Sequence, residues 1–207
     1  MLVLASASPR RKELLAQAGL DFRVMPSSIP EELRSGEPPI AYVTRVAREK
    51  AHAVFAVLAA NVGNSSEDGT LLVLGADTTV VAPSGEILGK PVDAADAARM
   101  LRLLSGATHQ VVTGVCLLSK AGEEVAAEVT YVTMNTLSDA EIAAYIATGE
   151  PDDKAGAYGI QGYAARWIPR IHGCYFNVMG LPLALATNMI EGALTRMRSQ
   201  RSLTAAR

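Results

Sequence analysis

The stretch "TLLVLGADTTVVA" (residues 70–82) decides the fold. Its apolar residues stand at successive rather than alternate positions, the pattern of a strand covered on both faces within an α/β sheet. Asp77 interrupts the run, although strand interiors are depleted in aspartate. A carboxylate in such a place points to a task, either holding a divalent cation through oxygen or activating water. The alternative is an aspartate that caps the strand end through neighbouring amides. Gly75 leaves room for close approach by backbone or ligand.

Upstream, "LVLAS" (2–6) reads as a second buried strand, followed by Ser8 as N-cap, Pro9 as the first helical residue and Gly19 as the stop. Arg10 and Arg11 then fall in the first helical turn, where the macrodipole disfavours cations by about 0.3–1 kcal/mol. Leu14, Leu15 and Ala18 share a face, and one turn back from the leucines lie the two arginines, so the cations continue the inward stripe. With Ser8 at the cap, free N–H groups and guanidinium groups converge on an anion site, of which phosphate is the commonest occupant. Snorkelling to solvent, or pairing with local carboxylates, is the competing reading.

The stretch "PPIAYVTRVAREKAHAVFAVLAAN" (38–61) predicts a long helix. Val43, Val46, Ala47, Ala51, Val54, Val57 and Leu58 form its apolar stripe, and Lys50 sits in the middle of it. A lysine there costs several kcal/mol unless an anion accompanies it. The polar "NVGNSSEDG" (61–69) reads as a loop that would tolerate insertion.

Downstream, "PSGE" turns the chain into "EILGKP", and Lys90 is aimed by the proline that follows it. Asp93 caps a helix that Gly106 ends, "KAGE" turns a long hairpin, and Ser138 with Glu141 form a capping box. The glycine-spaced "DDKAGAYGIQG" (152–162) carries Asp153, Lys154 and Gln161, the last with the donor and acceptor that reading a nucleobase edge requires. Its glycines match no dinucleotide fingerprint, and the chain has no Walker A string. Pro182 opens a final helix, and residues 198–207 read as a flexible tail.

The 207 residues are 49% hydrophobic and 19% charged, an ordinary globular balance. A net charge of -2 disfavours a nucleic-acid duplex as partner. Cys116 and Cys174 lack metal-ligand spacing and read as buried thiols, and His52, His109 and His172 read as structural or surface groups. The N-terminal apolar run is too short for a membrane span and lacks a basic region ahead of it, which favours the cytoplasm. Together these signals predict one α/β domain over residues 1–207: an elongated mixed sheet flanked by helices, in two lobes around a central cleft.

The strings "LASASPRRKELL", "VAREKA", "LGADTTVV", "LGKP", "LSGATHQVVTGV", "DKAGAYGIQG" and "NVMGLPL", in this order along nearly the whole chain, resemble the Maf-like nucleoside triphosphate pyrophosphatases. The resemblance implies a fold similar to that of the inosine triphosphate pyrophosphatases. It also implies hydrolysis of a nucleoside triphosphate to monophosphate and pyrophosphate with a divalent metal, Mg²⁺ or Mn²⁺. Asp77 matches the general base, Arg10 and Thr78 match specificity positions, and Gln161 matches the base reader. Glu32, Lys50 and Lys90 fall where the family keeps further cleft residues, and the "PEEL" context leaves Glu31 as the alternative to Glu32. The metal would then lie on Asp77 and Glu32, and the substrate on Ser8, Arg10, Arg11, Lys50, Thr78, Lys90, Lys154 and Gln161. The arginine, threonine and glutamine resemble the branch acting on dTTP and UTP rather than on 7-methylguanosine triphosphate. A homodimer is frequent among such relatives. Two rival readings remain: a nucleotide-binding regulator of cell division without turnover, and a house-cleaning enzyme for modified nucleotides.

Overall fold

The computed structural model describes residues 1–61 and 71–205, with side chains over 1–60 and 71–199. The polar stretch expected as a loop lies, after Asn61, outside the described residues. A seven-stranded mixed sheet forms the centre, in the order β2-β1-β3-β5-β6-β7 with β4 also on β3. The strands are β1 (Leu2–Leu4), β2 (Phe22–Val24), β3 (Leu72–Val81), β4 (Ile87–Leu88), β5 (Thr108–Ser119), β6 (Gly122–Thr133) and β7 (Arg170–His172). The helices are α1 (Pro9–Gln17), α2 (Pro39–Asn61), α3 (Ala94–Leu104), α4 (Asp139–Ile146), α5 (Tyr175–Val178) and α6 (Leu183–Ala205). The last helix thus continues into the stretch expected as a tail.

The predicted signals act where the residues stand. Ser8 caps α1, Asp93 caps α3, and Ser138 with Glu141 close a capping box on α4. Gly19 takes φ 71°, the left-handed conformation that ends α1. β3 is buried almost throughout because α2 covers one face and α1 with α6 cover the other. Val73 joins Ala47, Ala51 and Val54 in one apolar cluster. Leu72, Leu74 and Ala76 join Leu14, Leu15, Ala186 and Met189 in another.

Two glycines set how close α2 comes. A Cβ on Gly75 would lie 2.2 Å from the Ala47 carbonyl oxygen, and one on Gly114 would lie 2.4 Å from that of Val43. The close approach allowed by Gly75 is therefore that of a helix backbone. It brings Lys50, one turn beyond Ala47, down onto the strand.

The topology also leaves a gap. β5 pairs with β3 along its whole length, from Leu72 opposite Ser119 to Val81 opposite Gln110. The other edge of β3 is shared: β1 covers it at Leu72–Leu74 and β4 at Val80–Val81. Between them, Gly75 to Thr79 have no strand neighbour on that side among the described residues. An uncovered stretch of this kind, outside the end of a parallel strand, is where open α/β sheets bind ligands.

Candidate active site

A cleft of about 830 Å³ opens on that gap. Ser8, Arg10, Arg11, Lys50, Asp77, Thr78, Lys90, Lys154 and Gln161 all line it, so segments far apart in sequence meet there. Glu32 is not among the lining residues, whereas Glu31 is. Glu31 therefore replaces Glu32 as the candidate metal ligand. The segment between β2 and α2 has no regular secondary structure, so no periodicity marks which of two adjacent glutamates turns inward.

Because side chains alternate along a strand, Asp77 and Thr78 leave β3 on opposite faces. On the α2 face, the Lys50 ammonium lies 2.7 Å from Asp77 Oδ1 and 2.7 Å from Glu31 Oε1. Lys50 is 5% exposed and Asp77 4%, so each buried charge needs an opposite charge beside it, and Lys50 has two. Burial pushes the Asp77 carboxyl above its ordinary value, against the pull of Lys50 and Arg11. Burial also raises Glu31, but attraction and hydrogen bonding by Lys50, with help from Lys90 and Arg11, leave it below its ordinary value.

On the opposite face, Arg11 is 8% exposed and, among the described residues, its guanidinium donates only to neutral acceptors. Its Nε reaches the Gly180 carbonyl at 2.7 Å, Nη1 reaches Ser6 Oγ at 3.2 Å and Nη2 reaches Thr78 Oγ1 at 3.0 Å. Thr78 Oγ1 in turn lies 2.9 Å from Thr113 Oγ1, whose hydroxyl donates to the Asn177 carbonyl at 3.3 Å. Asn177 is fully buried and its Nδ2 donates to the Val111 carbonyl at 2.9 Å and to Thr130 Oγ1 at 3.0 Å. This braced hydroxyl chain fixes the guanidinium without neutralising it. Arg11, not Arg10, is thus the arginine joined to Thr78.

Arg10 stands at the rim, where Nη1 meets Asp153 Oδ2 at 3.2 Å across the cleft mouth. Asp153 Oδ1 also takes Lys154 Nζ at 2.7 Å, and that ammonium donates to the Glu150 carbonyl at 2.6 Å. The Gly156 N–H donates to the Gly89 carbonyl at 3.0 Å, tying the glycine-rich wall to the turn that carries Lys90. Gly156 and Ala157 both adopt the left-handed region, at φ 69° and 59°, and a Cβ on Gly156 would lie 2.9 Å from Val80 Cγ2. Ser6, Thr113 and Asn177 lie within strings that carry the family resemblance, and Glu150 lies outside them, but nothing local marked the role of any of the four, since single polar residues are common and most of their partners lie far along the chain.

The remaining titratable groups stand apart. His109 is buried against Tyr158, with Nε2 2.7 Å from the phenol oxygen, and burial lowers its pKa to about 4. Cys116 is buried as expected and its thiol is pushed up to about 12, while Cys174 is only half-buried. Among the described residues, no cluster of three or more His, Cys, Asp or Glu side chains is arranged to hold a metal, and no helix is long and apolar enough to cross a membrane.

The sequence matches the family described as "Maf-like protein" over residues 1–193. It is 54% identical to a protein of Koribacter versatilis named dTTP/UTP pyrophosphatase, over 93% of this chain and 94% of that one. It is 53% identical to a protein of the same name from Geobacter sulfurreducens, over 88% of this chain and 91% of that one. A third protein of that name, from Anaeromyxobacter dehalogenans, is 50% identical over 93% of both chains. With the match spanning both faces of the cleft and every strand of the sheet, the chain belongs to the Maf-like family.

Proposed function

We propose that this chain hydrolyses dTTP and UTP to the nucleoside monophosphate and pyrophosphate. The observation that carries the proposal is the division of charge across β3. On one face, two carboxylates share direct contact with a single ammonium, which leaves carboxylate oxygens for a cation. On the other, Arg11 keeps its charge among neutral acceptors at the N-terminus of α1, which suits a polyphosphate. A metal nucleotide is the ligand that needs both at once.

The donor set fits a divalent cation. Asp77 and Glu31 supply hard oxygen ligands, and Lys50 already holds an oxygen of each around one point of positive charge. Two carboxylates without a third suit Mg²⁺ or Mn²⁺, which take further oxygens from water and substrate phosphates. When bound, such an ion offsets the charge that develops on the phosphate oxygens.

The chain's own residues supply the rest. Arg10, Arg11, Lys50 and Lys90 balance the triphosphate, and the free N–H groups of the first turn of α1 orient it. Asp77 takes a proton from the attacking water, whose oxygen bonds to the α-phosphorus while the bond to the α,β-bridging oxygen breaks. Asp77 serves equally as a metal ligand in this scheme, because either role requires its ionised form. Gln161 reads the base: its NH₂ donates to O4 and its carbonyl accepts from N3–H, a pair shared by uracil and thymine and reversed in cytosine. Free Cys116 and Cys174 agree with a reducing cytoplasm. A homodimer rests on the family resemblance alone.

The test is a panel of nucleotides with Mg²⁺ or Mn²⁺, read as kcat/KM and as products. UTP should give UMP and pyrophosphate. UDP with orthophosphate would overturn the site of attack, and binding without turnover would favour a nucleotide-sensing regulator. A modified nucleotide preferred over dTTP and UTP would favour the house-cleaning role.

A further inference from the structure

The loop Gly159–Tyr163, which carries Gln161, contributes no strand to the sheet and no turn of a long helix. It is nevertheless anchored at both ends by one acidic residue. Glu150 Oε2 accepts from the Tyr163 N–H at 3.0 Å, and Oε1 accepts from the Tyr145 hydroxyl at 3.0 Å. That same hydroxyl oxygen accepts from the Gly159 N–H at 3.3 Å. Glu150 therefore grips the far end of the loop directly and the near end through Tyr145, with Gln161 between.

The anchor is itself fixed. Tyr145 is fully buried, stacked on Tyr163 at 5.8 Å between ring centroids and edge-on to Trp167 at 5.2 Å. The Glu150 carbonyl is held by Lys154 Nζ at 2.6 Å. The fit is close enough to dictate the residue opposite: a Cβ on Gly162 would lie 2.0 Å from Glu150 Oε1. Gln161 itself is exposed to the cleft, and among the described residues no protein group takes its amide.

We infer that Glu150 is the positioning residue for base selection, holding Gln161 through the Tyr163 amide and the Tyr145 hydroxyl. The inference rests on the reading of Gln161 given above. An amide discriminates between uracil and cytosine only if it is held in place, because a loose one can turn to satisfy either edge. Glu150 does not touch the reacting atoms, so its loss should act on selectivity rather than on the grip for phosphate.

The experiment compares the ratio of kcat/KM for UTP over CTP with the concentration of inorganic tripolyphosphate that halves the rate. In Glu150→Ala the UTP over CTP ratio should fall roughly tenfold, the worth of one good polar discrimination. Inhibition by tripolyphosphate, which has no base, should change less than about twofold, and Glu150→Gln should keep most of the ratio because its carbonyl oxygen can still accept from the Tyr163 N–H while its NH₂ donates to the Tyr145 hydroxyl oxygen. Tyr145→Phe keeps the ring packing and removes only the hydroxyl link, so it gives the same test if Glu150→Ala fails to fold, with a fall of about threefold expected. A wild type that discriminates, beside Glu150 and Tyr145 variants with unchanged ratios, overturns the inference alone. So does a parallel loss of UTP hydrolysis, CTP hydrolysis and tripolyphosphate inhibition, which would mark a merely structural role. A wild type that does not distinguish UTP from CTP overturns the reading of Gln161 and the inference with it.

Discussion

The two faces of β3 hold charge in opposite ways. Around Asp77, charge is met by charge, with Lys50 2.7 Å from a carboxylate on either side. Around Thr78, charge is met by dipoles, with Arg11 donating to a carbonyl and two hydroxyls. The first arrangement tolerates exchange of one cation for another. The second keeps a guanidinium rigid and available, since neutral acceptors orient it without competing for its charge. One strand can do both because consecutive residues point to opposite faces, and because its edge is uncovered where they do so.

The largest effect expected from breaking this contrast is on the α2 face. Asp77→Asn should lower kcat roughly 10²–10⁴-fold, the worth of a positioned general base. Lys50 keeps Glu31 in that variant, so the far-UV circular dichroism should be unchanged. Unchanged turnover would remove Asp77 from the chemistry. Next in size, Glu31→Gln should raise the Mg²⁺ concentration for half-maximal rate about tenfold or more, as loss of a group orienting a metal does. Glu32→Gln should stay within about twofold, and a reversed order would restore Glu32 to the site. On the dipolar face, Thr78→Val removes an acceptor of a charged donor, worth about 1.5–3 kcal/mol. The cost should appear mainly in KM for nucleotide, and a change confined to kcat would refute the positioning role given to that hydroxyl.

The smallest effect on activity lies away from both faces, at His109. Its folded pKa of about 4 is below its ordinary 6.5, so the unfolded chain binds the proton more readily. Stability should therefore be full above about pH 6.5 and decline as pH falls towards 4, by up to about 3 kcal/mol. Urea melts between pH 4 and 7 should show this slope, and His109→Gln should flatten it. A slope unaltered by that substitution would assign the acid sensitivity elsewhere, with buried Asp77 excluded by the sign, since a raised carboxyl pKa favours the folded state as pH falls.

What could be read in advance was local. Lys50 stood out because an ammonium inside an apolar helical stripe is costly, and Asp77 because a carboxylate inside a buried strand is costly. Ser8, Asp93 and the Ser138–Glu141 pair announced helix starts through their own side chains. Glu31 could not be separated from Glu32, because the stretch holding them has no repeating geometry. The link from Arg11 to Thr78 rather than from Arg10 was equally hidden, since its brace includes a carbonyl 169 residues away.

The sequence by itself determined the long strands and helices, though not the short β2, β7 and α5, and which of the long ones carry charge that must be compensated. Periodicity and capping are properties of neighbours along the chain, so they need no fold to be expressed. Only the tertiary structure decided how those charges are compensated, whether by ions or by dipoles. That outcome depends on the gap between β1 and β4, on the approach of α2 over Gly75 and Gly114, and on the Gly180 carbonyl brought against Arg11. Each is a contact between distant segments, fixed when sheet and helices pack and by nothing shorter in range.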